Sequence, residues 1–148
     1  MMPPLVIGYG NTLRGDDGAG VVAARRVRAL IPDVDVLVVH ELQPELVETI
    51  SQRQSVIFLD AATGVEKLVC ATIDSSTSVP PMNSHLFTPA QLLALSQSLY
   101  GRAPGSVHLI GIPASDFSYS EEISPLSEKF VDECVALVAQ LVSASRQM

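Results

Sequence analysis

Residues 5–18 read LVIGYGNTLRGDDG, and this stretch decides the fold class. Its opening, residues 5–7, is a short apolar run closed by a glycine, which is typical of a fully buried strand. A glycine-rich loop over 8–18 then leads into a predicted helix over 19–30, which Pro32 ends. A buried strand, a glycine-rich loop and a helix in this order begin an α/β alternation.

The same alternation continues to the end of the chain. Because strands and helices alternate, we predict one α/β domain over residues 1–148. The expected architecture is a three-layer α/β/α sandwich around a five-stranded, mostly parallel mixed sheet. Further strands are predicted over 34–39, 55–59, 67–73 and 107–112, and further helices over 44–50, 89–100 and from Pro125 onward.

The fourth predicted strand is the exception to parallel pairing. Only residues 61–66 separate it from the third strand, whereas a parallel crossover needs about a dozen residues or more. We therefore expect strand four to be antiparallel, forming a hairpin with strand three or lying at an edge of the sheet.

The last predicted helix carries apolar residues at helical spacing, and Ser124 is expected to cap it. Cys134 belongs to this apolar face and Cys70 to the fourth strand, so we predict that both are small buried side chains. The two cysteines have no CxxC spacing, which argues against a disulfide framework and a cysteine zinc site. The predicted core face comprises Leu126, Phe130, Cys134, Leu137, Val138 and Leu141.

The acidic composition limits the kinds of partner that the protein can bind. A net charge of −7 and a pI near 4.7 disfavour binding to nucleic acid or to an anionic membrane surface. No uninterrupted apolar run approaches the roughly 20 residues of a membrane span, and the first residues lack the basic flank of a signal peptide. We therefore expect a cytoplasmic protein.

Three residues with metal-binding side chains follow predicted strands. Ligands of open α/β sheets bind outside the carboxyl ends of the strands. Asp17 follows strand one, Asp60 ends strand three and His85 lies in the long loop 74–88. Two carboxylates and one imidazole can hold a divalent transition metal with coordination positions left open. The alternatives are a helix cap for Asp17 or its neighbour Asp16, a turn for Asp60 and a solvated loop position for His85.

Two other kinds of site fit the sequence less well. Residues 8–13 resemble the start of a dinucleotide fingerprint, but Leu13 replaces the third glycine and the aspartates before the helix would repel a pyrophosphate. Both cysteines are expected inside secondary structure, which makes them poor nucleophiles, and no GxSxG motif is present.

Four segments, in the same order along the chain, resemble the hydrogenase maturation proteases. The resemblance covers nearly the whole chain. The matching segments are residues 10–18 (GNTLRGDDG), 40–46 (HELQPEL), 58–62 (FLDAA), and His85 followed by Pro89, Leu92 and Leu93.

This resemblance implies an α/β endopeptidase that removes a C-terminal extension from the large-subunit precursor of a nickel–iron hydrogenase after nickel insertion. The family's metal-contacting positions fall on Asp17, Asp60 and His85, which are thus the expected catalytic and metal residues. Nickel is expected to arrive with the precursor, and the protein is expected to act as a monomer. His108 matches none of these positions and is interpreted as structural.

Two functions of other classes stay open at this point. The same three ligands would suit a non-catalytic nickel-binding maturation chaperone. A nucleotide-binding α/β module using Gly8 and Gly10 is the other alternative.

Overall fold

The computed structural model describes residues 2–74 and 87–146. A short 3-10 turn over Gly15–Gly18 precedes the first helix. The strands are β1 (Leu5–Tyr9), β2 (Asp35–Val39), β3 (Ser55–Ala62), β4 (Val69–Thr72) and β5 (Ser106–Pro113), and the helices are α1 (Ala19–Leu30), α2 (Leu46–Ser51), α3 (Pro89–Tyr100) and α4 (Pro125–Arg146).

The strands form one five-stranded sheet in the order β2-β1-β3-β5-β4. All neighbouring strands run parallel except β4, which is antiparallel to β5. One core cluster packs α1 and α4 on one face, and a second packs α2 and α3 on the other. The predicted three-layer sandwich with an antiparallel fourth strand is confirmed.

Of the two predicted positions for strand four, the edge of the sheet is confirmed, and the hairpin with strand three is wrong. The two strands are antiparallel to each other, but β5 lies between them. Residues 63–68 connect them, and six residues can reach about 20 Å. Two strand spacings are about 10 Å, so the connection can pass over the end of β5.

Two side chains predicted to be buried are exposed. Cys70 lies in β4, a four-residue edge strand whose residues are all exposed. Leu126 is 44% exposed. The first turn of α4 instead buries Ser127, whose hydroxyl donates to the carbonyl of Pro113 at 2.7 Å. Cys134 and Phe130 are buried as predicted.

Capping residues define the starts of α3 and α4. Thr88 and Gln91 form a reciprocal capping box at α3. The Ser124 hydroxyl accepts a 3.3 Å hydrogen bond from the backbone N–H of Ser127, which confirms the predicted cap of α4. No helix in the described part of the chain is long and apolar enough to cross a bilayer.

Glycines set the close approach of α1 to the sheet. A Cβ placed on Gly20 would lie 2.3 Å from the carbonyl oxygen of Leu59, and one on Gly8 would lie 2.4 Å from the carbonyl oxygen of Gly20. These distances are too short for any side chain. The first turn of α1 can therefore lie directly against the carboxyl ends of β1 and β3, where the candidate site residues are found.

Candidate active site

The strand order places a topological switch point between β1 and β3. The chain leaves β1 for β2 on one side and returns to β3 on the other. In open α/β sheets the crevice outside the carboxyl ends of two such strands is the usual ligand site. The last residue of β1 is Tyr9, and β3 carries Asp60 near its carboxyl end.

Tyr9 and Asp60 lie side by side at this crevice. Gly8 pairs with Leu59 in the parallel register, so the next residues, Tyr9 and Asp60, are also neighbours. The Tyr9 side chain packs with the α2–α3 core cluster, and its ring meets that of Phe58 edge to face at 6.5 Å and 82°. The Tyr9 hydroxyl donates a hydrogen bond to the Asp60 carboxylate. Asp60 thus lies within β3, which runs on to Ala62, rather than at its end.

The surroundings of Asp60 disfavour its ionised form. Burial is the largest cause and raises the pKa of Asp60 from 3.8 to about 6. Hydrogen bonds from Tyr9 and from the backbone of Ala61 act in the opposite direction, and the nearby charge of Asp17 raises the pKa further. Burial and the Asp60 charge in turn raise the pKa of Tyr9 above its ordinary value, so its hydroxyl stays protonated.

Asp17 is held in the 3-10 turn before α1. Its Oδ2 accepts a 2.8 Å hydrogen bond from the backbone N–H of Asn11. Gly10 adopts a φ of +143°, and a Cβ there would lie 2.0 Å from the Asp17 carbonyl oxygen. The glycine-rich loop therefore folds against Asp17 itself. This leaves Asp17 beside Asp60 and disfavours the pyrophosphate cradle of a nucleotide-binding module, because both carboxylates would repel it.

Asp16 has a different environment from its neighbour Asp17. Its side chain is fully buried and accepts four hydrogen bonds of 2.6–3.0 Å. Burial alone would raise the pKa of Asp16, but these hydrogen bonds outweigh it and lower the pKa to about 2. Asp16 therefore anchors the loop before α4 rather than serving as a base. The donors are the backbone N–H groups of Ser115, Asp116 and Ser124 and the Ser124 hydroxyl.

Neither aspartate caps α1, the alternative that the sequence left open. The residue at the N-cap of α1 is Gly18, and no side chain caps this helix. Asp16 bonds to residues roughly a hundred positions away in sequence, and Asp17 bonds to the loop before it.

His85, the third predicted ligand, lies outside the described residues. Within 2–74 and 87–146 no group of three or more His, Cys, Asp or Glu side chains is placed to hold a metal ion. In the same ranges, no lysine or arginine forms an ion pair with Asp17 or Asp60. Asp17 and Asp60 are near enough that the charge of Asp17 raises the pKa of Asp60.

His108 lies in β5, as predicted, and its Nδ1 is buried without a hydrogen-bond partner in the described ranges.

Sequence reasoning missed Tyr9. The signal was present, because Tyr9 alternates with Leu5 and Ile7 and lies two residues beyond the predicted strand over 5–7. The sequence alone does not show that β1 pairs with β3, the pairing that brings Tyr9 next to Asp60.

No family model matches the chain, and no curated protein matches it. Solved structures do match. The chain is similar to the [NiFe] hydrogenase maturation protease HycI from Thermococcus kodakarensis, with 26% identity and a TM-score of 0.73, covering 96% of this chain and 93% of that one. It is equally similar in sequence, at 26%, to the hydrogenase 2 maturation peptidase from a Thaumarchaeota archaeon, with a TM-score of 0.70 and coverage of 95% and 97%.

The hydrogenase maturating endopeptidase HybD from E. coli shares the fold at 20% identity, with a TM-score of 0.79 over 97% of this chain and 94% of that one. The resemblance to hydrogenase maturation proteases found in the sequence is therefore confirmed by structures that span nearly the whole chain.

Proposed function

We propose that this protein is an endopeptidase that removes the C-terminal extension from a nickel–iron hydrogenase large-subunit precursor after nickel insertion. The observation that carries the proposal is the pair Asp17 and Asp60 at the switch point of the sheet. Support also comes from 26% identity and near-complete coverage with two hydrogenase maturation proteases.

The donor set suits a divalent cation carried by the precursor. Asp17 and Asp60 are close enough for the charge of one to raise the pKa of the other, and a divalent cation between them would relieve that repulsion. Carboxylate and imidazole are both acceptable ligands for divalent first-row metals. His85 is the proposed third ligand, and nickel is proposed to be the cargo of the precursor rather than a resident cofactor.

The proposed reaction is amide hydrolysis without a covalent intermediate. When bound, nickel would supply Lewis-acid polarisation of the scissile carbonyl and acidify a water molecule. The protein would contribute carboxylate oxygens from Asp17 and Asp60, fixed by the 3-10 turn and by β3. Because the proposed nickel is carried by the precursor, cleavage would depend on nickel loading.

The partner of this reaction is one macromolecule, the precursor. The net charge of −7 supports the absence of nucleic-acid and anionic-membrane partners. The proposal includes a monomeric protein in the cytoplasm. Both cysteines are free thiols, as is usual in a reducing compartment.

The decisive experiment incubates the protein with nickel-loaded and with nickel-free precursor and measures the mass of the large subunit. We expect loss of the extension from the loaded precursor alone. Asp60→Asn should abolish this loss, whereas Asp132→Asn, a matched change at a 75% exposed side chain on α4, should not. Nickel binding without any change in mass would instead support a non-catalytic chaperone. A melting-temperature shift on adding nucleotide would favour a nucleotide-binding module.

A further inference from the structure

We infer that the Tyr9 hydroxyl is a positioning group that holds the Asp60 carboxylate in one orientation towards the metal-bearing precursor. This inference rests on the proposed function. Its basis is the geometry of neighbouring positions: Tyr9 and Asp60 follow paired residues of β1 and β3, on one face of the sheet, and are joined by a side-chain hydrogen bond.

Tyr9 is itself held through its ring and through the backbone that follows it. Its ring packs edge to face on Phe58 and belongs to the α2–α3 core cluster. The backbone just after it is tied to β2, because the Gly10 N–H donates to the carbonyl oxygens of Val39 and His40 at 3.4 and 3.1 Å. A donor on such a rigid support sets the direction of its acceptor.

A carboxylate that binds a metal benefits from such a donor. The hydrogen bonds from Tyr9 and from the Ala61 backbone still leave Asp60 with free lone pairs for the cation, and the Tyr9 bond restricts rotation of the carboxylate. Outer hydrogen bonds of this kind typically change metal affinity or activity by about 10–100-fold. Tyr9 suits the role better than a lysine or arginine would, because a neutral donor adds no charge that would repel the cation.

The test compares Tyr9→Phe with the wild type. The substitution keeps the ring and its contact with Phe58 but removes the hydroxyl. We expect kcat for nickel-loaded precursor to fall about 10–100-fold, with KM within about twofold, since the Tyr9 hydroxyl acts on a ligand of the reacting group and not on precursor binding. The melting temperature should fall by no more than about 4 °C, the effect of one lost hydrogen bond. Tyr100→Phe, at a 44% exposed tyrosine on α3, is the matched control and should change neither quantity.

A second readout uses Co²⁺ added to the protein without precursor. The visible absorption band of cobalt should be weaker or shifted in Tyr9→Phe. If Tyr9 acts through Asp60, the cobalt band of the double variant Tyr9→Phe/Asp60→Asn should be the same as that of Asp60→Asn alone. Wild-type kcat in Tyr9→Phe would overturn the inference and leave the proposed function intact. Absence of cleavage by the wild type would overturn the proposed function, and the inference with it.

Discussion

At the scale of single residues, the pKa values of two aspartates in one chain are shifted in opposite directions. Asp16 is fully buried, yet four hydrogen bonds stabilise its charge and its pKa is about 2. Asp60 is partly buried, has fewer donors and a carboxylate neighbour, and its pKa is about 6. Asp16 is therefore suited to anchoring the loop before α4, and Asp60 to a role at the candidate site. In the sequence the two look alike, because each is an acid next to a predicted strand or loop.

Asp16→Asn should destabilise the fold in a pH-dependent way. The folded pKa of about 2 lies below the ordinary 3.8, so the ionised carboxyl contributes stability in full above about pH 4 and loses it as pH falls towards 2. We expect a loss of about 2 kcal/mol in the free energy of unfolding at pH 7. Denaturant melts at pH 7 and at pH 3 measure this. An equal loss at both values would contradict the assignment.

Asp60→Asn should have the opposite effect on stability while abolishing processing. Its folded pKa of about 6 exceeds the ordinary 3.8, so ionised Asp60 opposes folding at neutral pH and this effect vanishes below about pH 4. Allowing for partial exposure, we expect about 1–2 kcal/mol of added stability at pH 7. His85→Ala should also abolish processing. Thermal melts and the mass of nickel-loaded precursor test both variants, and full activity in either would contradict the metal site.

Two conservative substitutions of Asp17 should differ in their effect on precursor processing. Asp17→Glu keeps a carboxylate that can reach the same cation, so partial processing is expected. Asp17→Asn supplies no charge and is a poor ligand for a divalent cation, so processing should be lost. The assay is again removal of the extension from nickel-loaded precursor, and equal activity of the two variants would argue against ligation by Asp17.

The two cysteines should differ in stability but not in function. Burial raises the pKa of the Cys134 thiol to about 12, and Cys134→Ser places a hydroxyl in an apolar site, at a cost of about 1–3 kcal/mol. Cys70 is exposed, so Cys70→Ser should leave the melting temperature nearly unchanged. Both variants should still process the precursor. Complete loss of cleavage in Cys70→Ser with an unchanged melt would indicate covalent catalysis instead.

At the scale of elements, the packing of α1 fixes where the carboxylates stand. Gly20→Ala would bring a Cβ within 2.3 Å of the Leu59 carbonyl, with rigid backbone on both sides. We expect destabilisation of about 1–3 kcal/mol and reduced processing, because α1 must move away from β3. Gly105→Ala is the control, since its nearest atoms belong to the flexible end of Gln54. Thermal melts compare the two, and an equally stable Gly20→Ala would show that this contact can relax.

The loop before α4 links two distant elements through one side chain. Asp16 follows β1, and its acceptor atoms organise Ser115, Asp116 and the Ser124 cap of α4. The pairing of Gly15 N–H with the Ser120 carbonyl, at 2.8 Å, reinforces this link. The loop from β5 to α4 is thereby attached to the turn that carries Asp17.

At the scale of the whole molecule, the order of strands determines the site. The strand order reverses direction across the sheet between β1 and β3, and this brings Tyr9, Asp60 and the turn with Asp17 together at the carboxyl ends of the two strands, the usual ligand position in open α/β sheets. The three hydrogenase maturation proteases compared above share this fold over more than nine-tenths of their length.

The sequence by itself determined the elements, the layer architecture and the candidate acids, because hydrophobic periodicity, capping residues and short motifs act over a few neighbouring positions. It did not determine that β5 would lie between β3 and β4, that Cys70 and Leu126 would be exposed, or that Tyr9 would meet Asp60. Only the tertiary structure decided these features. Strand order and side-chain neighbours depend on contacts between distant segments, and many such arrangements satisfy the same local pattern.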